Sequence, residues 1–281
     1  MTHITLMGAG GKMGLRLTDN LRKTDYKVWH VEISERGRAA LAERGITTVP
    51  VEAALAQSKI VILALPDHLI GPVCHQLAPQ FLSGTMLIML DIAAALAGVL
   101  PKREDLIYFV THPCHPSVFG VETDPKAQRD FFGCLHARQN IVCSLVQGPE
   151  EAYALGEAVA RAIYAPVERS HRCTPEQMGL LEPVLSETVL GTCLTVVREA
   201  MDEAVRRGVP PEAARDFLLG HMKVELAIVF QEVPGAVFSD GALKAIEEAK
   251  RALFQPDWKK VFEPEALMRS VRQITAPRPP A

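Results

Sequence analysis

The sequence lacks the features that mark secreted and disulfide-stabilised proteins. None of its six cysteines forms a C-x-x-C pair, and their spacings suit no disulfide framework. Reduced thiols in an intracellular compartment are the simplest interpretation. No basic segment followed by an apolar core opens the chain, so we expect no signal peptide and a cytoplasmic location.

The chain also lacks an excess of charge of either sign. Thirty Lys and Arg residues against 33 Asp and Glu residues give a net charge of −3 at pH 7. This balance argues against nucleic acid as the main partner, since such proteins carry a basic patch. The most apolar stretch, residues 86–100, is interrupted by Asp91 and is too short to span a bilayer. We therefore expect neither nucleic acid nor a membrane among the partners.

Hydrophobic patterning divides the chain in two. The first part alternates short apolar runs with amphipathic stretches, which predicts a parallel sheet buried by helices on both faces. Its predicted strands are 4–7, 27–33, 60–65, 85–90, 106–111 and 141–145. From about residue 174 the strand signal stops, and long helices are predicted. We expect an α/β protein with an N-terminal Rossmann-type domain over 1–170 and an all-helical substrate and dimerisation domain over 171–281.

A glycine-rich loop follows the first predicted strand and opens the first predicted helix. At this position glycines permit a tight turn and let backbone amides approach a pyrophosphate at the positive end of the helix. A glycine-rich turn without a ligand is the alternative. The residues expected to bind the dinucleotide are Gly8, Gly10, Gly11, Lys12 and Met13.

Two further features favour a nicotinamide dinucleotide. Glu32 ends the second predicted strand, where a carboxylate can accept hydrogen bonds from ribose hydroxyls and repel a 2′-phosphate. NAD is therefore favoured over NADP, although Arg36 and Arg38 nearby keep NADP open. The third strand is followed by a polar turn at the edge where this fold binds ligands. Its residues Pro66, Asp67 and His68 are expected to line the cofactor crevice.

A histidine segment follows the fifth predicted strand. It reads Thr111-His112-Pro113-Cys114-His115-Pro116. At a strand's carboxyl end an imidazole meets substrate and nicotinamide, as a general base or as a metal ligand. His112 is nearer the strand and is the expected catalytic residue. A rigid polar turn without chemistry is the alternative.

Carboxylates lie in an apolar part of the predicted long helix. Glu182 and Ser186 are one turn apart and share a face, whereas Glu187 is rotated by about 100° from Ser186. A carboxylate in such surroundings either forms an ion pair or binds a cation. The sequence therefore predicts that Glu182 joins His112 as a catalytic group and metal ligand, with a salt bridge as the alternative.

The order of these features resembles the β-hydroxyacid and 6-phosphogluconate dehydrogenase superfamily. That superfamily usually places a catalytic lysine on the long helix, but no lysine occurs between Lys126 and Lys223. The His112-Pro113 turn is similar to the His-Pro motif of prephenate dehydrogenases. The helix from Glu182 is similar to the metal-binding helix of ketol-acid reductoisomerases, with Ser186 at the position of their second carboxylate.

The whole combination, with the segment 254–264 near the end, most resembles the D-apionate oxidoisomerase family. This resemblance implies NAD-dependent oxidation of a branched sugar acid and a 1,2 carbon shift that gives 3-oxo-isoapionate. Because the shift moves negative charge between two neighbouring oxygens, we expect a divalent metal that binds both, with zinc, manganese and magnesium left open. The long apolar faces over residues 180–197 and 217–230 predict a homodimer, which the resemblance to the superfamily also implies. The alternatives are an NAD-dependent hydroxyacid dehydrogenase without rearrangement, with or without decarboxylation, and a non-catalytic NAD-binding subunit.

Overall fold

The computed structural model describes residues 2–276, and the chain forms two compact units. The first unit comprises the chain up to Pro183 together with the segment from Leu267 onward. The second unit is Val184–Ala266. The sequence placed the boundary between residues 170 and 171, whereas the structure divides the chain after Pro183. The last helix returns to the first unit, where Leu267 and Val271 are buried.

A seven-stranded sheet forms the centre of the first unit, in the order β2-β1-β3-β4-β5-β6-β7. Its strands are β1 (His3–Met7), β2 (Lys27–Val31), β3 (Ile60–Leu63), β4 (Met86–Met89), β5 (Ile107–Pro113), β6 (Gln139–Gln147) and β7 (Val167–Arg172). The first five strands are parallel, and their carboxyl ends therefore meet at one edge of the sheet.

Strand β6 runs antiparallel to β5, which the expectation of a parallel sheet did not include. The reason is the connection over residues 114–138, which holds one 3₁₀ turn and no crossover helix. Strand β7 was also not predicted from the sequence. It pairs with β6 in parallel at the end of the sheet, and its polar residues are largely exposed.

Helices cover both faces of the sheet. One face carries α3 (Val51–Leu55), α4 (Asp67–Leu77), α5 (Ala93–Leu96) and α7 (Pro175–Gly179), which bury apolar side chains in one core cluster. The other face carries α1 (Lys12–Leu21), α2 (Glu35–Ala42) and α6 (Ala152–Ile163), which contribute to a second cluster. Alternate residues of each central strand enter the two clusters, as a sheet buried on both sides requires. The expected Rossmann-type fold is confirmed.

The second unit is helical, as expected. Its helices are α8 (Thr192–Arg206), α9 (Pro211–Val229) and α10 (Asp240–Leu253), with a 3₁₀ turn at Trp258–Phe262. The last helix of the described residues is α11 (Pro264–Thr275), which belongs to the first unit from Leu267 onward. Helices α8 and α9 pack on each other but leave large apolar side chains in solvent, among them Leu194, Phe217 and Phe230.

Between α7 and α8, residues Leu180–Gly191 adopt π-helical hydrogen bonding. Pro183 lies inside this segment and has no backbone N–H, so it cannot donate an α-helical bond. Single-turn π segments are frequent at functional sites. This segment is longer, with 12 residues, and it contains Glu182. The boundary between the two units also falls in this segment.

One helix among the described residues, Pro175–Arg206, is long and apolar enough to cross a membrane by length and composition. Its most apolar 18 residues have a mean hydropathy of 1.5, and 11% of them are buried. This helix was not the stretch that the sequence identified as most apolar.

Candidate functional site

The glycine loop joins β1 to α1 and needs its glycines for steric reasons. Gly8 has φ +71°, and a Cβ there would lie 2.3 Å from the carbonyl oxygen of Ala64, the residue directly after the neighbouring strand β3. A Cβ on Gly14 would lie 2.1 Å from the carbonyl oxygen of Gly8. The loop therefore brings its backbone against both β3 and the start of α1, as a dinucleotide-binding turn does.

Some backbone amides of this loop already donate hydrogen bonds within the protein, whereas others lie in the first turn of α1 and have no acceptor in that helix. Gly10 donates to a carboxylate oxygen of Glu32 at 2.9 Å, and Gly11 donates to the carbonyl oxygen of Gly8 at 3.0 Å. Lys12 and Met13 form the first turn of α1, where N–H groups have no intrahelical acceptor. These two amides are the ones best placed to receive an anionic group.

Glu32 follows β2 and accepts four hydrogen bonds. Its Oε1 atom accepts from the amides of Ile33 and Ser34 and from the Ser34 hydroxyl, whereas Oε2 accepts from Gly10. Desolvation alone would raise the pKa of Glu32, but these hydrogen bonds outweigh it and the pKa lies below its usual value. The carboxylate is thus ionised at neutral pH, and Oε2 retains the capacity to accept a ribose hydroxyl.

Gly37 in α2 gives Glu32 its space. A Cβ on Gly37 would lie 2.6 Å from the Cδ of Glu32, and a Cβ on Gly10 would lie 2.4 Å from the Cα of Gly37. The glycine loop at Gly10, the residue after β2 at Glu32 and helix α2 at Gly37 are therefore packed too closely for an added Cβ. Sequence reasoning missed Gly37 because the close approach depends on the three-dimensional path of the chain.

A cavity of about 300 Å³ opens beside Glu32. Most of its lining is apolar, which suits the flat face of an aromatic base. The lining residues are Met7, Gly8, Val31, Glu32, Ile33, Val51, Leu65, Val73, Gln76 and Leu77.

The turn after β3 lies at the same edge of the sheet. Pro66 is the residue before α4, and Asp67 and His68 form its first turn. Pro66 is exposed, and the other two residues are half-buried. That these three residues contact the cofactor remains a prediction.

Three side chains converge at the carboxyl edge of the sheet. Asp91, His112 and Glu182 each offer one ligand atom, and these atoms lie within 4.8 Å of one another. Asp91 follows β4, His112 lies near the end of β5, and Glu182 comes from the π segment. The predicted pair His112 and Glu182 is thus brought together. Asp91 was missed, although its place directly after a buried strand is a signal that the sequence contains.

The tautomer of His112 is set by its neighbour. Its Nδ1 atom lies 2.8 Å from the carbonyl oxygen of Pro113. Because a carbonyl oxygen only accepts, Nδ1 carries the hydrogen and the lone pair lies on Nε2. Desolvation lowers the pKa of His112, and the nearby Asp91 carboxylate offsets this only in part. The ring is therefore neutral and offers a ligand nitrogen.

The Asp91 carboxylate is held by backbone. Its Oδ1 accepts a hydrogen bond of 2.6 Å from the amide of Ala93 at the start of α5. Its second oxygen is left to act as a ligand. One imidazole nitrogen and two carboxylates form a donor set that suits manganese, magnesium or zinc. Ser186 and Glu187, which the sequence placed on the same helix, belong to the second unit.

Two known families match parts of the chain. Residues 3–95 match the family described as NADP oxidoreductase coenzyme F420-dependent. Residues 120–275 match the family described as phosphogluconate dehydrogenase (decarboxylating) C-term. Together they cover both the sheet domain and the helical region, in agreement with the expected superfamily.

The chain is also similar to proteins of known name and structure. It is 59% identical to a D-apionate oxidoisomerase from Cupriavidus necator, over 97% of this chain and 99% of that protein. A crystal structure of a semialdehyde dehydrogenase NAD-binding protein from Cupriavidus necator, in complex with calcium and NAD, has a TM-score of 0.96. That protein is 58% identical, and the match covers 98% of this chain and all of that one.

A more distant likeness concerns the fold alone. An NADH-preferring ketol-acid reductoisomerase from an uncultured archean has a TM-score of 0.69 at 21% identity. The match covers 96% of this chain and 82% of that one. The similarity expected from the helix around Glu182 thus extends to the fold.

Proposed function

Since the chain belongs to the D-apionate oxidoisomerase family, we propose that it oxidises D-apionate with NAD and shifts a carbon group to give 3-oxo-isoapionate. It is an oxidoreductase with a Rossmann-type domain. The observation that carries the proposal is the convergence of Asp91, His112 and Glu182 at the edge of the sheet to which the glycine loop also belongs. A 1,2 carbon shift moves negative charge between two neighbouring oxygens, and a divalent cation held by two carboxylates and an imidazole would stabilise that charge.

The proposed cofactor is NAD, with the adenosine in the cavity beside Glu32. Its pyrophosphate would lie on the glycine loop, with Gly8, Gly10 and Gly11 giving room and Lys12 and Met13 donating amides. The ionised Glu32 supports NAD over NADP, because a 2′-phosphate there would meet a negative charge. When bound, NAD accepts the hydride that the substrate's carbinol carbon loses.

The proposed metal site consists of Asp91, His112 and Glu182. Their donor chemistry fits a divalent cation, since one ring nitrogen of His112 and one carboxylate oxygen each of Asp91 and Glu182 lie within 4.8 Å of one another. A divalent cation held there would act as a Lewis acid toward two neighbouring substrate oxygens. The identity of the metal among manganese, magnesium and zinc is left open by this donor set.

The chain's own contribution is to fix these groups before substrate arrives. The Pro113 carbonyl holds the ring of His112, and the Ala93 amide holds Asp91. A 1,2 carbon shift needs the ketone oxygen and the neighbouring hydroxyl oxygen to lie in one plane, because electron density moves from one to the other. Groups that are held in advance spend no energy on reorganisation during this step.

The experiment is product analysis with NAD and a panel of sugar acids. Carbon-13 NMR during turnover of D-apionate should show the rearranged ketoacid. A ketoacid with the original skeleton, or release of carbon dioxide by the enzyme, would instead establish the dehydrogenase alternative. No NAD reduction with any acid of the panel would contradict the proposal.

Two treatments test the metal site. Glu182→Gln should abolish turnover and leave NAD binding intact, and exhaustive chelation should do the same reversibly. The matched control is Glu104→Gln, which removes an exposed carboxylate. Chelated enzyme that forms the rearranged product at full rate would remove the cation from the proposal.

We also propose a homodimer, with a second copy covering the apolar faces of the second unit. Phe217 and Phe230 are 69% and 65% exposed, and a groove between α8 and α9 is lined by apolar residues. The helix Pro175–Arg206 is proposed to lie outside the membrane, because the carboxylates of Glu182 and Glu187 in its N-terminal half would be costly in a bilayer. The proposed location is the cytoplasm, in keeping with six cysteines as free thiols.

A further inference from the structure

We infer that His115 is the general base of the oxidation step, an inference that rests on the proposed function. The need for a second base follows from the chemistry of His112. A neutral imidazole has one lone pair, and the Nδ1 atom of His112 is committed to the Pro113 carbonyl. If Nε2 of His112 binds a cation, the same atom cannot take a proton from the substrate.

His115 supplies the second lone pair close by. Its Nδ1 atom lies 3.0 Å from the carbonyl oxygen of Phe132 and must donate to it, so its lone pair also lies on Nε2. The ring centroids of His112 and His115 are 6.0 Å apart, with an angle of 87° between the planes. The two rings thus present two separate nitrogen lone pairs at one end of β5.

The backbone at His115 is strained. Its φ is +60°, a left-handed conformation that residues with a Cβ seldom adopt. Such conformations persist where the surrounding structure enforces them, and they cluster at active sites. In this protein the ring of the residue with this conformation contacts the Phe132 carbonyl and lies beside His112.

The turn that carries the Phe132 carbonyl is itself fixed. The Oδ2 atom of Asp130 accepts from the amides of Leu135, His136 and Ala137. Arg16 of α1 forms an ion pair of 3.0 Å with the other oxygen of Asp130. This arrangement holds His115 through hydrogen bonds to backbone, as the supporting groups of catalytic histidines do.

The step balances as follows. The C–H bond of the substrate's secondary alcohol breaks, and its hydride is transferred to NAD. The O–H bond of the same carbinol breaks, and the proton forms a new N–H bond at Nε2 of His115. A C=O bond forms, and His115 becomes an imidazolium that later loses its proton to water.

The test uses two variants of the full-length enzyme. His115→Asn removes the base but keeps a side-chain donor for the Phe132 carbonyl, and asparagine tolerates a positive φ. We expect a loss in kcat of about 10²–10⁴-fold, with the Kd values for NAD and Mn²⁺ unchanged. His115→Gly should lose as much and regain part of the rate when imidazole is added. The control His75→Asn changes an exposed histidine of α4 and should keep the wild-type rate.

The outcomes separate three possibilities. A His115→Asn enzyme with at least half the wild-type kcat would overturn the inference. A tenfold weaker Kd for Mn²⁺ would overturn it too, because it would make His115 a ligand. A wild type that reduces no NAD with any sugar acid would contradict the proposed function instead. Independently of turnover, ¹⁵N NMR should show the hydrogen of the His115 ring on Nδ1, and a hydrogen on Nε2 would contradict the geometry.

Discussion

The imidazole of His112 donates its Nδ1 hydrogen to the carbonyl oxygen of Pro113 across 2.8 Å. This contact lies within two consecutive residues, so the proline that follows the histidine also determines which nitrogen can bind a ligand. The available Nε2 is the ring nitrogen that can bind a cation, and the ligand atoms of Asp91, His112 and Glu182 lie within 4.8 Å of one another.

Replacing Asp91 by asparagine should weaken divalent-cation binding by at least about 10-fold, since even supporting groups around metal ligands are worth 10–100-fold. The amide oxygen can still accept from Ala93, so the start of α5 should stay intact. Titration of the protein with Mn²⁺, followed by electron paramagnetic resonance, measures the change. The dissociation constant for NAD should stay unchanged in this variant. An Asp91→Asn protein with wild-type Mn²⁺ affinity would exclude Asp91 as a ligand.

Asp91 illustrates what the sequence could and could not reveal about the site. A residue directly after a buried strand lies at the ligand-binding edge of the sheet, so Asp91 was identifiable by position. By composition alone, Asp91 is only a charge that interrupts an apolar stretch. His112 and Glu182 are 70 positions apart, and only the fold shows that they approach one another.

The fold was largely predictable for a similar reason. Strands that are apolar on both faces, such as β3 and β4, can only be central strands of a covered sheet. Strand β7 has no such pattern, because an outer strand exposes polar residues. The π segment has one local signal, Pro183, which indicates a disturbance of the helix but not its hydrogen-bond register.

Replacing Glu32 by glutamine should lower NAD affinity by about tenfold, because a hydrogen bond to a charged group contributes about 1.5–3 kcal/mol. The preference for NAD over NADP should narrow, since the charge that repels a 2′-phosphate is lost. Fluorescence titration with both reduced coenzymes gives the two dissociation constants. A wild-type enzyme that prefers NADP would contradict the assignment of Glu32.

NAD affinity should be independent of pH from pH 8 down to pH 5. The hydrogen bonds to Glu32 hold its pKa below the ordinary glutamate value of about 4.3. The carboxylate therefore keeps its charge above that value, and its contribution is lost only as the pH falls through the lowered pKa. Dissociation constants measured across this range test the point. A marked loss of affinity between pH 7 and pH 5 would show that another group controls binding.

Replacing Gly37 by alanine should disturb the dinucleotide site without touching the cation site. The new Cβ would lie 2.6 Å from the Cδ of Glu32, so the carboxylate would have to move. We expect NAD affinity to fall by about tenfold and stability to fall by about 1–3 kcal/mol, as overpacking does. Gly45→Ala is the comparison variant. The φ of Gly45 is +71°, so a Cβ there is strained, but open space surrounds it and no neighbouring side chain would have to move. Unchanged NAD binding in Gly37→Ala would refute the steric argument.

The protein should be a dimer at micromolar concentration. Burying apolar residues such as Leu194, Phe217 and Phe230 stabilises association, and a stable interface needs more than about 1,000 Å² of buried surface. Sedimentation velocity over a range of protein concentrations measures the oligomeric state. Replacing Phe217 by glutamate should shift the equilibrium toward the monomer. A wild-type protein that sediments as a monomer at these concentrations would remove the second copy from the proposal.

The return of α11 to the first unit has a consequence for how the chain is made. Leu267 and Val271 are buried in that unit, and Leu267 packs near Gly179. Since domains fold as the ribosome releases them from the N-terminus, the first unit lacks part of its core until the last helix emerges. Translation of Val184–Ala266 comes before that moment. A chain that stops at Ala266 would therefore leave the nucleotide-binding unit incomplete, although every residue of the candidate site had already been synthesised.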